Sequence, residues 1–189
     1  MKRETTALAI LSVCVLVGCA TQPSKLEFAK GPGPHAFDCE AKPVYYEDFH
    51  IHPPGDKLKF TGVMEVVSVP EHPDAHWHSG VNVQFGSRSD NSPQPFAGLA
   101  GTVYPEVPNK MLFTLRWGPK PSQQSAPFEV AATDAPIPFE LTLDEAYQLT
   151  VSVGGAKKST FVPPFKVARA SLYCSGAHVR YSNVIVDAD

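Results

Sequence analysis

The fold is decided by two stretches of alternating apolar and polar residues: Val81-Asn82-Val83-Gln84-Phe85 and His178-Val179-Arg180-Tyr181-Ser182-Asn183-Val184-Ile185-Val186. Successive side chains of an extended chain point to opposite sides, so this alternation predicts strands with one face in a core and the other in solvent. Working outward, further stretches of this kind are separated by Pro, Gly, Asn and Asp. The predicted strands are 44–50, 58–69, 77–85, 111–117, 128–131, 137–142, 147–153, 165–174 and 178–186. This pattern predicts an all-β domain folded as a two-sheet antiparallel β-sandwich.

Composition supports the same fold class and limits the partners. The chain has 189 residues with 19 prolines, and proline inside a helix removes a hydrogen bond and clashes with the preceding turn. The proline count therefore argues against a helical bundle, and the one helical candidate, 143–149, is short. The length fits a single domain. The net charge is −3 and no basic stripe is present, so we expect no nucleic acid partner.

The N-terminus has the layout of a secretory signal peptide. Lys2 and Arg3 precede an apolar run over 7–17, which is shorter than the roughly 20 residues that a membrane-spanning helix needs. The ending Leu16-Val17-Gly18-Cys19 resembles the lipobox of bacterial lipoproteins. That resemblance implies removal of residues 1–18, a lipid on Cys19 and, because Ala20 follows, sorting to the outer membrane, where the protein faces the periplasm or the surface. Residues 19–34, rich in Pro, Gly, Ser and Lys, are expected to form a flexible tether, and residues 35–189 the domain.

The remaining cysteines, Cys39 and Cys174, would reach an oxidising compartment. A disulfide between them is therefore expected, and a pair of buried free thiols is the alternative. Because bridged cysteines have Cα atoms within about 7 Å, the bridge would hold the first and last segments of the domain together.

Several segments resemble a known architecture. They are Ser79-Gly80-Val81-Asn82-Val83-Gln84-Phe85, Phe139-Glu140-Leu141-Thr142 with the strand after it, and Tyr181-Ser182-Asn183-Val184-Ile185-Val186. Together they are similar to the concanavalin-like jelly roll of lectin and laminin-G-type domains. This resemblance implies that the first and last strands are adjacent, in agreement with the cysteine argument. A different β-sandwich is the alternative.

Histidine supplies the candidate metal site. His50 and His52 form one H-x-H pair and His76 and His78 another, and residues two apart on a strand point to the same face. Each pair could offer two imidazoles to Zn²⁺ or Cu²⁺. Alternatively, the histidines are solvated residues at strand ends, since prolines lie beside both pairs. A cupin site would also need a glutamate shortly after the second pair, and the segment 79–85 contains none.

Other catalytic patterns are weak, and aromatic residues offer a binding hypothesis instead. The carboxylate pairs Glu47-Asp48 and Asp144-Glu145 are adjacent in sequence, so on a strand they would point to opposite faces. No G-x-S-x-G or S-x-x-K motif is present. Sugar rings could stack on aromatic side chains, of which Trp77 is the best candidate for exposure; the others are Tyr45, Tyr46, Tyr104 and Trp117, and core packing is the alternative for each.

Two classes of function follow from these patterns. The favoured prediction is a lipid-anchored envelope lipoprotein whose non-enzymatic β-sandwich binds a glycan, peptidoglycan or an envelope protein, or has a structural role. The alternative is a metal-dependent enzyme or hydrolase that uses the histidine-rich loops.

Overall fold

The structure is a computed structural model that describes residues 28–188, except 30, 32, 44, 56, 71–77, 88–94, 105, 106, 108, 120 and 121. The predicted lipidation site Cys19 and the predicted signal peptide lie outside these residues. The part of the chain that is described contains no helix able to span a membrane.

Thirteen strands make up the fold in the described residues. They are β1 (Phe28–Ala29), β2 (His35–Glu40), β3 (Tyr46–Ile51), β4 (Leu58–Ser68), β5 (Ser79–Gly86), β6 (Phe96–Val103), β7 (Lys110–Trp117), β8 (Gln124–Ala132), β9 (Ile137–Leu143), β10 (Gln148–Val153), β11 (Ala156–Phe161), β12 (Arg169–Ser175) and β13 (His178–Ala188). One sheet has seven strands in the order β1-β3-β12-β5-β6-β7-β8, and the other has six in the order β11-β10-β9-β4-β13-β2. All pairs are antiparallel except β1 with β3. The predicted all-β antiparallel sandwich is confirmed.

The core lies between the two sheets and is built by the alternation that predicted the strands. Val81, Val83 and Phe85 of β5 are buried and belong to one hydrophobic cluster. The ring of Phe85 packs against Phe60 of β4, with the ring centroids 5.9 Å apart, so the two sheets meet through aromatic side chains. Because every second residue of β5 faces this core, Asn82 and Gln84 face the opposite side of the seven-stranded sheet.

The predicted disulfide is present and joins the two sheets. Cys39 lies in β2 of the six-stranded sheet and Cys174 in β12 of the seven-stranded sheet, with their Cα atoms 6.0 Å apart. The strand β2 also pairs with the last strand, β13, which confirms that the two ends of the domain are neighbours.

Three strands of the domain, β2, β6 and β11, were not predicted from the sequence. The strand β6 was missed because Gly and Ala dominate its sequence, Phe96-Ala97-Gly98-Leu99-Ala100-Gly101-Thr102-Val103. A Cβ at Gly101 would approach Phe113 and Val81 to 2.8 Å, so the small residue is required by packing against neighbouring strands. Such a requirement comes from tertiary contacts and leaves no apolar pattern in the sequence.

The short helical candidate 143–149 is wrong, since residues 144–147 form the turn between β9 and β10 and the ends of the segment belong to these two strands. The Asp144 carboxylate accepts a hydrogen bond from the Gln148 backbone N–H at 2.8 Å, and Tyr147 has a φ of 58°. Earlier in the chain, the strand β1 lies within the stretch 19–34 that was interpreted as a tether, and it pairs with His50 and Ile51 of β3.

Candidate functional site

A group of polar side chains lies on the outer face of the seven-stranded sheet, which is the face directed away from the sandwich core. We define this polar face by its members: Asp48, His50, Asn82, Gln84, Thr114, Arg116, Arg169, Ser171 and Tyr173. They come from the strands β3, β5, β7 and β12. In β12 the intervening residues Ala170, Leu172 and Cys174 are in the core, which fixes the opposite direction for the polar ones.

Strand register arranges the polar face in two rows that cross the strands. In one row His50 is opposite Ser171 and Ser171 is opposite Gln84; Gly98 of β6 follows, and then Arg116. In the other row, Asp48, Tyr173, Asn82, Ala100 and Thr114 are successive partners. The rows are two residues apart along each strand, or about 7 Å.

One end of the polar face contains a buried chain of polar contacts. His50 is 1% exposed, and its Nδ1 lies 2.9 Å from the Ser171 Oγ. Its Nε2 lies 3.3 Å from a carboxylate oxygen of the half-buried Asp48. Both ring nitrogens therefore face polar groups, and this arrangement fixes the orientation of the imidazole.

Tyr173 links this chain to the centre of the polar face. The Gln84 amide nitrogen donates to the Tyr173 hydroxyl at 3.4 Å, and the ring of His50 meets the ring of Tyr173 edge-on at 6.0 Å. Burial raises the pKa of the Tyr173 phenol above its ordinary value, while the nearby Arg169 guanidinium opposes that rise. The hydroxyl of Tyr173 is therefore neutral at physiological pH and can both donate and accept hydrogen bonds.

Two arginines give the polar face positive charge. Arg169 is buried and passes over Gly86, where a Cβ would approach its Nε to 2.9 Å. Arg116 is half-buried and donates to the Gln123 side-chain oxygen at 2.9 Å, and burial lowers the pKa of its guanidinium. Between the Gln84 and Arg116 positions, Gly98 allows close approach of the chains, since a Cβ there would lie 2.6 Å from the Gln84 Cα.

A serine, a histidine and an aspartate in contact have the composition of a hydrolytic triad, but here they stabilise the polar face and do not present a nucleophile. Ser171 is fully buried, so its hydroxyl is not presented to a substrate as a nucleophile must be. Polar tips are instead offered by half-buried residues of the same face: Asp48, Asn82, Gln84, Thr114, Arg116 and Tyr173. The arrangement is suited to hydrogen bonding with a polar ligand. The buried His50 and Ser171 lie beneath these side chains and keep them in position.

The histidines singled out in the sequence do not share one place. His50 is buried inside β3, so the expectation of a solvated histidine at a strand end is wrong for this residue. His52 follows β3 and is exposed, and His78 precedes β5 and packs its ring on Tyr104 with the centroids 4.7 Å apart. His76 and Trp77 lie outside the described residues. Among the residues that are described, no group of three or more His, Cys, Asp or Glu side chains could hold a metal ion.

Most of the polar face was missed by reasoning from the sequence. A signal was present, because in Arg169-Ala170-Ser171-Leu172-Tyr173-Cys174 the polar residues recur at every second position. The same is true of Asn82 and Gln84. Alternation alone predicts only that such residues face away from the core, and it does not tell which strands lie side by side.

Neither a family model nor a curated protein sequence matches this chain. Several solved structures have a similar fold. An alginate lyase from Pseudomonas aeruginosa has 9% sequence identity and a TM-score of 0.53; the similarity covers 71% of this chain and 65% of the lyase, so this chain spans just under two thirds of that protein. The CBM2 module of the evolved Dit of Lactobacillus casei BL23 phage J-1 has 11% identity and a TM-score of 0.52, covering 79% of this chain and 74% of the module. At this identity the similarity establishes the jelly-roll sandwich alone.

Proposed function

We propose that the protein is a lipid-anchored lipoprotein of the cell envelope whose β-sandwich binds a glycan on the polar face without catalysing a reaction. One observation carries the proposal: carboxylate, amide, phenol, hydroxyl and guanidinium groups from four strands lie together on one face of the seven-stranded sheet. Sugars present many hydroxyl groups, and binding sites recognise them by a few fixed donors and acceptors.

The support for a glycan over a protein partner comes from the chemistry of this surface. The core of a protein interface is apolar and rich in large side chains. In the two rows of the polar face, the residues between the β5 and β7 side chains are the small Gly98 and Ala100, and both are buried. One of the similar structures is named an alginate lyase, which agrees with a glycan ligand and transfers no activity to this chain.

Binding would depend on the half-buried side chains at the centre of the face. We expect Gln84→Ala to weaken binding by about tenfold, because its amide is lost together with its contact to the Tyr173 hydroxyl. The measurement is affinity electrophoresis of the purified full-length protein in gels containing alginate, dextran or xylan, together with a pull-down on peptidoglycan sacculi.

Gln148→Ala is the matched control. Gln148 lies in β10 of the other sheet and is also half-buried, so the variant removes an equal amide from the opposite side of the sandwich. Its binding should equal that of the unmodified protein. If the unmodified protein is retarded by no polysaccharide and does not sediment with sacculi, the proposal of a glycan-binding module is refuted.

The envelope location is proposed from the lipobox alone and needs its own test. We expect the unmodified protein in the membrane fraction of a bacterial host, and metabolic labelling with palmitate should mark it. Cys19→Ser should remove the label and release the protein from the membrane. Retention of the Cys19→Ser variant in the membrane fraction would contradict the anchoring mechanism and leave the glycan proposal intact.

A further inference from the structure

Three aromatic side chains are strongly exposed in the described part of the chain: Tyr45, Tyr46 and Phe161. Phe161 pairs with Gln148 in the six-stranded sheet and so belongs to the other side of the sandwich. Tyr46 begins β3 and is 62% exposed. Its position relative to the polar face decides what its ring can contact.

Strand register puts Tyr46 on the same side of the sheet as the polar face. Tyr46 is the partner of Ser175, just as Asp48 is the partner of Tyr173 and His50 the partner of Ser171. Tyr46, Asp48 and His50 are each two residues apart on one strand, so they share a face. Tyr46 therefore lies one row, about 7 Å, beyond Asp48.

The residues beside Tyr46 leave its ring open. Its row continues through Ser175 to Gly80, which has no side chain, and then to Thr102. The Ser175 hydroxyl is held at 2.9 Å by the backbone oxygen of Tyr45, which keeps it in place at the sheet surface. An exposed aromatic ring thus borders a row of small residues that adjoins the hydrogen-bonding groups.

We infer that Tyr46 forms a stacking subsite for one pyranose ring of the glycan, at the end of the polar face; this inference rests on the proposed function. A pyranose has an apolar C–H face and a polar edge. Aromatic rings supply flat apolar contact area for the first, and amides, phenols and guanidinium groups bind the second. A chain of several sugars that hydrogen-bonds to Asp48, Tyr173 and Asn82 in the adjoining row would continue onto Tyr46.

The test uses the two adjacent tyrosines as a matched pair. Tyr45 is 66% exposed, as open as Tyr46, but it precedes the strand, and neighbouring residues of an extended chain point to opposite sides. The probes are alginate, dextran and xylan in affinity gels with the full-length protein. We expect Tyr46→Ala to weaken retardation about three- to tenfold, Tyr46→Phe to retain it, and Tyr45→Ala to leave it unchanged.

The outcomes separate this inference from the function on which it rests. Equal retardation of Tyr46→Ala and the unmodified protein overturns the stacking subsite, and the glycan-binding function then still stands on Gln84. An equal loss in Tyr45→Ala and Tyr46→Ala also overturns it, since the effect would not depend on the polar face. If Tyr46→Phe binds as poorly as Tyr46→Ala, the ring is not the binding element. Absence of retardation for the unmodified protein in every gel, together with no sedimentation on peptidoglycan sacculi, refutes both proposals; if the protein sediments with sacculi alone, the same variants are compared in that pull-down with the same expected order.

Discussion

Reducing the Cys39–Cys174 disulfide is expected to lower the free energy of unfolding substantially. The two cysteines are 135 residues apart in sequence, so the bond closes most of the domain into one loop. In the chain-entropy description, closing a loop of this length lowers the conformational entropy of the unfolded chain by about 17 cal/mol/K, which corresponds to about 5 kcal/mol of stability at 298 K. Measured disulfides commonly contribute less, about 2–4 kcal/mol, so we expect a loss within about 2–5 kcal/mol.

The assay is urea unfolding of a shortened protein that begins at residue 28. Unfolding is monitored by tryptophan fluorescence, with and without a phosphine reductant. With an m-value of about 2 kcal/mol/M, the expected loss moves the unfolding midpoint down by roughly 1–2.5 M urea. The double variant Cys39→Ala with Cys174→Ala is the control, and its midpoint should not respond to the reductant. Oxidised and reduced forms that unfold at the same midpoint would refute the reasoning that this bond restrains the unfolded chain.

Three further perturbations test the packing of the fold and of the site. Burial raises the pKa of the Tyr181 phenol, so its contribution to the free energy of unfolding is complete below about pH 10 and falls by about 1.4 kcal/mol per pH unit above it. Tyr181→Phe should flatten this loss in urea titrations at pH 9–11. An unchanged dependence of the free energy of unfolding on pH would contradict the prediction. Gly101→Ala should lower the free energy of unfolding by about 1–3 kcal/mol, because the added methyl group overpacks the space between neighbouring strands. Gly55→Ala is the control and should change it little, since the nearest atom to its added Cβ would be 3.8 Å away. Similar urea midpoints for both variants would count against close packing around Gly101. His50→Ala should lower the melting temperature clearly, because a buried hydrogen bond to Ser171 is lost. His178→Ala, which removes a partner of the exposed Asp38, should have little effect. The opposite order of melting temperatures would show that the buried contact between His50 and Ser171 does not stabilise the fold.

Alternation of apolar and polar residues was sufficient to predict several strands that bury one face and expose the other to solvent. The segments around β5, β10 and β13 alternate with period two, and each was found as a strand. The pattern failed for β6, where Gly98 and Gly101 are set by close approach of neighbouring strands. The helical candidate 143–149 failed because the Asp144 carboxylate and the positive φ of Tyr147 make a turn over residues 144–147.

The candidate site was less predictable than the fold. Of the three proposed metal-ligand histidines that the structure describes, His50, His52 and His78, only His50 joins the polar face, and it does so as a buried partner of Ser171. The sequence pointed to His50 because of its spacing from His52. That spacing carries no information about Ser171, which is 121 residues further along the chain.

By itself, the sequence determined the all-β class, the disulfide and the prediction of a lipid anchor, because alternation, cysteine count and the lipobox are local or compositional properties. Only the tertiary structure decided that β3, β12 and β5 lie side by side. That order brings Asp48, His50, Gln84, Arg169 and Tyr173 onto one surface. The physical reason is that strand pairing is formed by backbone hydrogen bonds that every residue except proline can donate, so the choice of partner strand depends on how all the apolar faces together enclose one core.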